Sequence, residues 1–104
     1  MKYKLLAMTN AVGDKENEFN TWYDNQHIPD VLNVLGFVGA KRYVQADSQM
    51  GAVSHKYICV YDIDTDDLNA TLADFGSKAG TDKMVMSDAV DVATAQMGFY
   101  REMD

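Results

Sequence analysis

The sequence is short of the features that mark most specialised functions. It has one cysteine, Cys59. No internal disulfide is possible, which fits a reducing cytoplasm. Basic residues are few: nine Lys and Arg stand against sixteen Asp and Glu, a net charge of −7. Lys41 and Arg42 are the only adjacent basic pair, so no positive stripe exists for nucleic acid or an anionic membrane surface. No apolar run is long enough to span a bilayer, and the opening MKYKLLAMTN lacks the apolar core of a signal peptide. A cytoplasmic location is expected. Phosphate loops, Rossmann glycine patterns and nucleophile elbows are absent too, which argues against nucleotide cofactors and serine hydrolase chemistry. With two histidines far apart in sequence, a metal site is not expected. The densest acidic cluster, Asp62, Asp64, Asp66 and Asp67, lacks the glycine and closing glutamate of a calcium loop and reads as a solvated helix start.

What remains is an ordinary globular composition, 47% hydrophobic and 24% charged with a single proline, in 104 residues. That length predicts one domain, residues 1–104. A domain this small buries only about 60–65% of its unfolded surface, so association with a second copy would help it.

Periodicity supplies the elements. Lys2 to Thr9 alternates as a strand, and Asn10 to Asp14 is a loop. From Lys15 the spacing turns helical, with Phe19, Trp22, Tyr23 and Gln26 on one stripe. Pro29 predicts a kink or a restart, with a second short helix over Asp30 to Val34 and Gly36 as its stop. Phe37 to Val44 and His55 to Ile63 read as strands around a hairpin loop. A helix is predicted from Thr65, with Leu68, Leu72 and Phe75 apolar and Gly76 ending it. Ser77 to Asp91 is ambiguous, with a short helix placed near Asp82 to Met86. Thr94 to Arg101 is the last strand. The order βαββαβ is the split pattern of a ferredoxin-like α+β fold: a four-stranded antiparallel sheet with helices on one face.

Alternation then assigns faces. In the third strand Ile58 and Val60 suit packing under the helices, which sends His55, Tyr57, Cys59 and Tyr61 to the face left uncovered. Arg42 and Tyr43 lie on opposite faces of the second strand. An uncovered aromatic face predicts a homodimer. Two such sheets would enclose a space lined by Tyr, His and Met, or would simply fill it as a dry interface.

The segment EFNTWYDNQHIPDVLNVLGFVGAKRY resembles the signature of EthD-like, dimeric α+β barrel proteins: a helix carrying W-Y-x-x-x-H, then Pro, a short apolar run and Pro-Gly-Phe before a strand. The matching residues are Trp22, Tyr23, His27, Pro29, Gly36 and Phe37; Leu35 stands where relatives usually have proline. The resemblance implies the same fold and a dimer. It implies reaction only weakly. The family includes polyketide cyclases such as olivetolic acid cyclase, heme-dependent or cofactor-free monooxygenases, and dehalogenating and isomerising enzymes.

His27 is the leading candidate for chemistry, because imidazole titrates nearest neutrality. Asp24 or Asp30 is placed to orient it. Its alternative role is to hold the helix break by bonding a freed carbonyl. Tyr23, Tyr57 or Tyr61 would polarise a substrate oxygen. Trp22, Arg42 and His55 complete the expected substrate-binding set, although Arg42 equally suits a surface ion pair. Cys59 reads as a small buried apolar residue. The expected function is a cofactor-independent enzyme acting by acid/base chemistry on a small hydrophobic, oxygenated or aromatic substrate. The reaction would be a cyclisation, isomerisation, dehydration or elimination. The alternatives are a ligand-binding or stress-associated protein without catalysis, and a monooxygenase, whose heme would need His27 or His55 as axial ligand.

Overall fold

A computed structural model describes all 104 residues. Strands β1 (Lys2–Thr9), β2 (Phe37–Val44), β3 (Tyr57–Asp64) and β4 (Gln96–Arg101) form one antiparallel sheet in the order β2-β3-β1-β4. Between β1 and β2 lie α1 (Glu16–Trp22), a π-helical turn (Tyr23–His27) and α2 (Ile28–Val31). Helix α3 (Leu68–Lys78) follows β3. This is the ferredoxin-like arrangement expected from the element order, with β1 and β2 at the expected bounds.

The helices cover one face only. The buried row of β1 is Leu5, Ala7 and Thr9; that of β3 is Tyr57, Cys59, Tyr61 and Ile63. Register places them side by side, Leu5 opposite Tyr61 and Ala7 opposite Cys59. Beneath the helices, Phe19 packs at 5.1 Å from the Tyr57 ring and Phe37 at 5.7 Å from Tyr61. Lys4, Leu6, Met8, Ile58, Val60 and Asp62 occupy the other face.

The face assignment from sequence is therefore inverted. Tyr57, Cys59 and Tyr61 lie under the helices, and Ile58 and Val60 face outward. Because side chains alternate with period two, one wrong choice moves every residue of the strand. The reason is volume. Helix α1 presents Phe19 and the turn after it Tyr23, large rings that need large partners on the sheet. The β1 and β2 neighbours of Tyr61 and Cys59 include the small Ala7 and Ala40, which leave room for them. His55 lies before β3, not in it, and is buried.

Pro29 does not break the helix. The Ile28 amide bonds the Tyr23 carbonyl, five residues back, and Pro29 then occupies the first turn of α2, where its missing N–H costs nothing. The second helix thus runs Ile28–Val31, not Asp30 to Val34. Helix α3 starts at Leu68, capped by Asp67, whose carboxylate accepts from the Ala70 amide at 3.1 Å. Thr65 instead accepts from the Asp67 amide, one step earlier. Gly76 is inside α3 and does not end it. No helix forms near Asp82 to Met86: the chain doubles back, with Ala79 bridged to Met84 and Ala11 to Val90. No helix is long and apolar enough to cross a membrane.

Candidate functional site

A cleft of about 470 Å³ opens between the helices and the β1–β4 half of the sheet. It is on the helix-covered side, not on the open sheet face where the sequence placed the pocket. Ala7, Thr9 and Met97 come from the sheet, Trp22, Tyr23 and His27 from the first helical segment, Phe75 from α3 and Ala79 from just beyond its end. Met84, Met86, Val90 and Val92 close it from the long connection before β4. No Lys, Arg, Asp or Glu lines it. Thr9 and His27 are the two residues of the lining that are not hydrophobic.

The π turn builds the aromatic wall. Its wider spacing brings residues five apart to one side. The Trp22 and His27 rings stack at 4.5 Å, and Tyr23 meets His27 edge-on at 5.0 Å. The His27 Nδ1 is sealed from solvent and has no hydrogen-bond partner; so is the Thr9 hydroxyl. Burial lowers the His27 pKa from 6.5 to about 4, against a weaker upward pull from the Asp30 charge. At neutral pH the ring is uncharged. Burial also pushes the Tyr23 phenol up, with the nearby Cys59 thiol adding to it, so Tyr23 stays protonated. No three His, Cys, Asp or Glu side chains are grouped closely enough to share an ion.

The other expected residues do different work. Asp30 makes no hydrogen bond to His27. It accepts from Gln26 Nε2 at 2.8 Å and from the Val85 amide at 3.3 Å. Trp22 Nε1 donates to the Val85 carbonyl at 3.0 Å. Both backbone groups of Val85 are thus tied to the first helical segment, which fixes Met84 and Met86 at the cleft. Asp24 pairs with Arg42 at 3.0 Å, and Arg42 also donates to Asn20 at 2.7 Å. The guanidinium lies 4.5 Å from the centre of the Tyr23 ring, so Arg42 clamps this segment onto β2 and does not reach the cleft lining. Tyr57 donates to Glu16 and accepts from Asn20, outside the cleft. The Tyr61 hydroxyl is sealed and unpartnered but is not part of the lining. His55 donates from Nε2 to the Thr94 carbonyl at 2.6 Å and accepts at Nδ1 from Ser54 at 2.8 Å. Both its nitrogens are engaged, and it staples the start of β3 to the segment before β4. The Cys59 thiol is buried, and burial raises its pKa, as expected of an inert side chain.

Of the eight residues singled out from sequence, the cleft gathers Trp22, Tyr23 and His27. Thr9, Met84 and Met86 were missed. Thr9 was detectable as the one polar residue in the buried row of β1; Met84 and Met86 lie in a segment without periodic signal.

No protein-family model and no curated protein matches the chain. Solved structures do. An ethyl tert-butyl ether D (EthD) family protein from Bacillus halodurans C-125 is similar, with 22% identity, a TM-score of 0.57, and coverage of 99% of this chain and 100% of that one. A putative monooxygenase from Shewanella loihica PV-4 is similar at 13% identity, with a TM-score of 0.65 and coverage of 99% and 95%. From β1 through β4 the chain has the ferredoxin-like fold of these two proteins.

Proposed function

We propose that the cleft is the site of a small cofactor-independent enzyme that moves a proton on a hydrophobic, oxygenated substrate beside a carbonyl or on an aromatic ring. His27 is the polar group that promotes the proton transfer. Trp22 and Tyr23 hold the substrate against it. The observation that carries this is the isolation of His27, the one titratable imidazole in an otherwise apolar wall, stacked on Trp22 and free of any hydrogen bond that would explain it as structural. Asp30, Arg42, His55, Tyr57 and Tyr61 support the cleft from outside it.

1-Tetralone, a flat neutral ketone with exchangeable protons next to its carbonyl, tests this in D2O by NMR. The protein should accelerate exchange at that carbon. His27→Phe should cut the acceleration about 100-fold while the circular dichroism spectrum stays unchanged. Equal exchange by both proteins would remove His27 from the chemistry. Binding without exchange would favour the non-catalytic ligand-binding reading, which the apolar lining also suits.

The working unit is a homodimer joined through the open sheet face. Leu6, Met8, Ile58 and Val60 form an apolar strip there, flanked by Tyr43 and Tyr100, both more than half exposed. Sedimentation should give a two-chain mass, and Met8→Glu should shift it to one chain, because a carboxylate there would be buried with Ile58 and Gln96 as its cross-strand neighbours and no cation opposite it. A one-chain mass for the unaltered protein would end this part of the reading.

A further inference from the structure

His27 has two nitrogens in unlike surroundings, and this constrains both its proton and its ligand. Nδ1 is sealed with no partner, which leaves Nε2 as the nitrogen open to solvent on the cleft wall. A buried N–H without an acceptor is among the rarest unsatisfied groups in proteins, whereas a bare lone pair is better tolerated. The single proton of the neutral ring therefore belongs on Nε2. Neither carboxylate near it in sequence can reverse this: Asp24 is held by Arg42, and Asp30 by Gln26 and Val85. A carboxylate on Nδ1 would have allowed Nε2 to act as a base in the usual way; here none is bonded.

The walls facing His27 offer no other charge. From the sheet come Ala7, Thr9 and Met97, from α3 Phe75, and from just past its end Ala79. The connection before β4 adds only methionine, valine and alanine. Tyr23 beside it is protonated, and Asp30 is the one charged group coupled to it. An anionic ligand would enter an apolar cleft, with no cation in its walls, in a chain of net charge −7. A ligand with only donors would leave Nε2–H unpaired.

We infer that His27 presents Nε2–H to the cleft as a hydrogen-bond donor, and that the ligand is a neutral apolar molecule whose carbonyl-type oxygen accepts that hydrogen. This rests on the functional reading above and deepens it. His27 stands on the acid side of the chemistry, polarising a carbonyl as a neutral imidazole. Water in the open cleft takes the proton from the carbon next to that carbonyl, the C–H electron pair passes onto the carbonyl oxygen, and Nε2–H holds the enolate oxygen that results.

The tautomer is read without any ligand or turnover. Long-range 1H–15N correlation spectra of the labelled protein at pH 7 should show His27 protonated at Nε2 and bare at Nδ1, unchanged from pH 5.5 to 8.5. His27 is identified as the signal set lost in His27→Gln, or as the set that persists in His55→Gln should the first variant not fold. A proton on Nδ1, or a doubly protonated ring at pH 7, overturns the inference. Titration with 1-tetralone, tetralin and 1-naphthoate tests the ligand class. 1-Tetralone should bind at least tenfold more tightly than 1-naphthoate. Its affinity relative to tetralin should fall about tenfold in His27→Phe and be restored in His27→Gln, whose amide still donates. Equal or tighter binding of the anion overturns the inference, as does a carbonyl preference that survives in His27→Phe. Because tautomer and binding are read independently of exchange, a correct tautomer and ligand preference with no exchange would sink the enzymatic reading and leave this one standing.

Discussion

Between pH 6.5 and pH 4 the folded chain should lose about 3 kcal/mol of stability through His27 alone, and the His27→Gln variant should not show that loss. Above pH 6.5 the ring is neutral whether the chain is folded or not, so pH has no leverage there. As pH falls below 6.5 the unfolded chain takes up a proton on His27, while the buried ring resists until about pH 4. The unfolded state gains over that interval, and the loss levels off below it. The Asp30 carboxylate limits the effect, since its charge favours the protonated ring. Other acid-sensitive groups act lower. Lys56 and Tyr57 hold the Glu16 carboxyl below its usual range, Lys2 does so for Asp64, and the Leu35 amide and Lys78 for Asp74. Their contributions are present above the ordinary carboxylate pKa and are lost as pH falls below it, so they lie mostly beneath the His27 window. Urea unfolding at pH 7, 5.5 and 4 on both proteins isolates the term as a difference. Parallel pH profiles would mean that the ring is not held neutral by burial.

The same residue shows where the sequence was legible and where it was not. The spacing of Phe19, Trp22, Tyr23 and Gln26 marked a helix stripe, and two of its residues, Trp22 and Tyr23, share one wall of the cleft with His27. Their stacking depends on the π turn, which no residue type announces; proline predicted only a break. The four strands were readable because alternation and turn residues are local signals. Which face of β3 met the helices was not local. Its two rows, Tyr57-Cys59-Tyr61 and Ile58-Val60, are both apolar enough to be buried, and only the rings brought by α1 and the turn after it decide between them. The cleft followed the face, which is why it was expected on the wrong side of the sheet. The segment from Thr81 to Val92 has neither helical nor strand period. Its position depends on tertiary bonds to Trp22, Asp30 and the β1 loop, as in the Val12 amide donating to the Ala89 carbonyl at 2.8 Å. A wall built that way cannot be found from neighbours in sequence.

Gly36 sets how closely α3 approaches the sheet, and Gly36→Ala should cost about 3 kcal/mol. Its φ is +87°, a region that alanine adopts only under strain. Space is lacking as well. An added Cβ would meet Thr71 Oγ1 at 3.0 Å, Thr65 Cβ at 3.2 Å and the Asp64 carbonyl at 3.4 Å. The turn cannot easily move away. The Leu35 amide donates to Asp74 of α3 at 2.8 Å, and the Gly36 carbonyl accepts from the Asp64 amide at 2.8 Å. Thr71 is fully buried, so relief has to come from α3 itself, which carries Phe75 into the cleft and leads into Ala79. Gly13 separates the two causes. It has φ +42° and nothing within 4 Å of an added Cβ, so Gly13→Ala should cost only the backbone strain, about 1 kcal/mol. Adding Thr71→Ala to Gly36→Ala removes the closest clash, and the pair should cost less than the two single changes together by about 1 kcal/mol. Denaturant unfolding of the four variants decides it. Strict additivity, or equal costs at Gly13 and Gly36, would show that conformation alone fixes the turn and that α3 is not held against it.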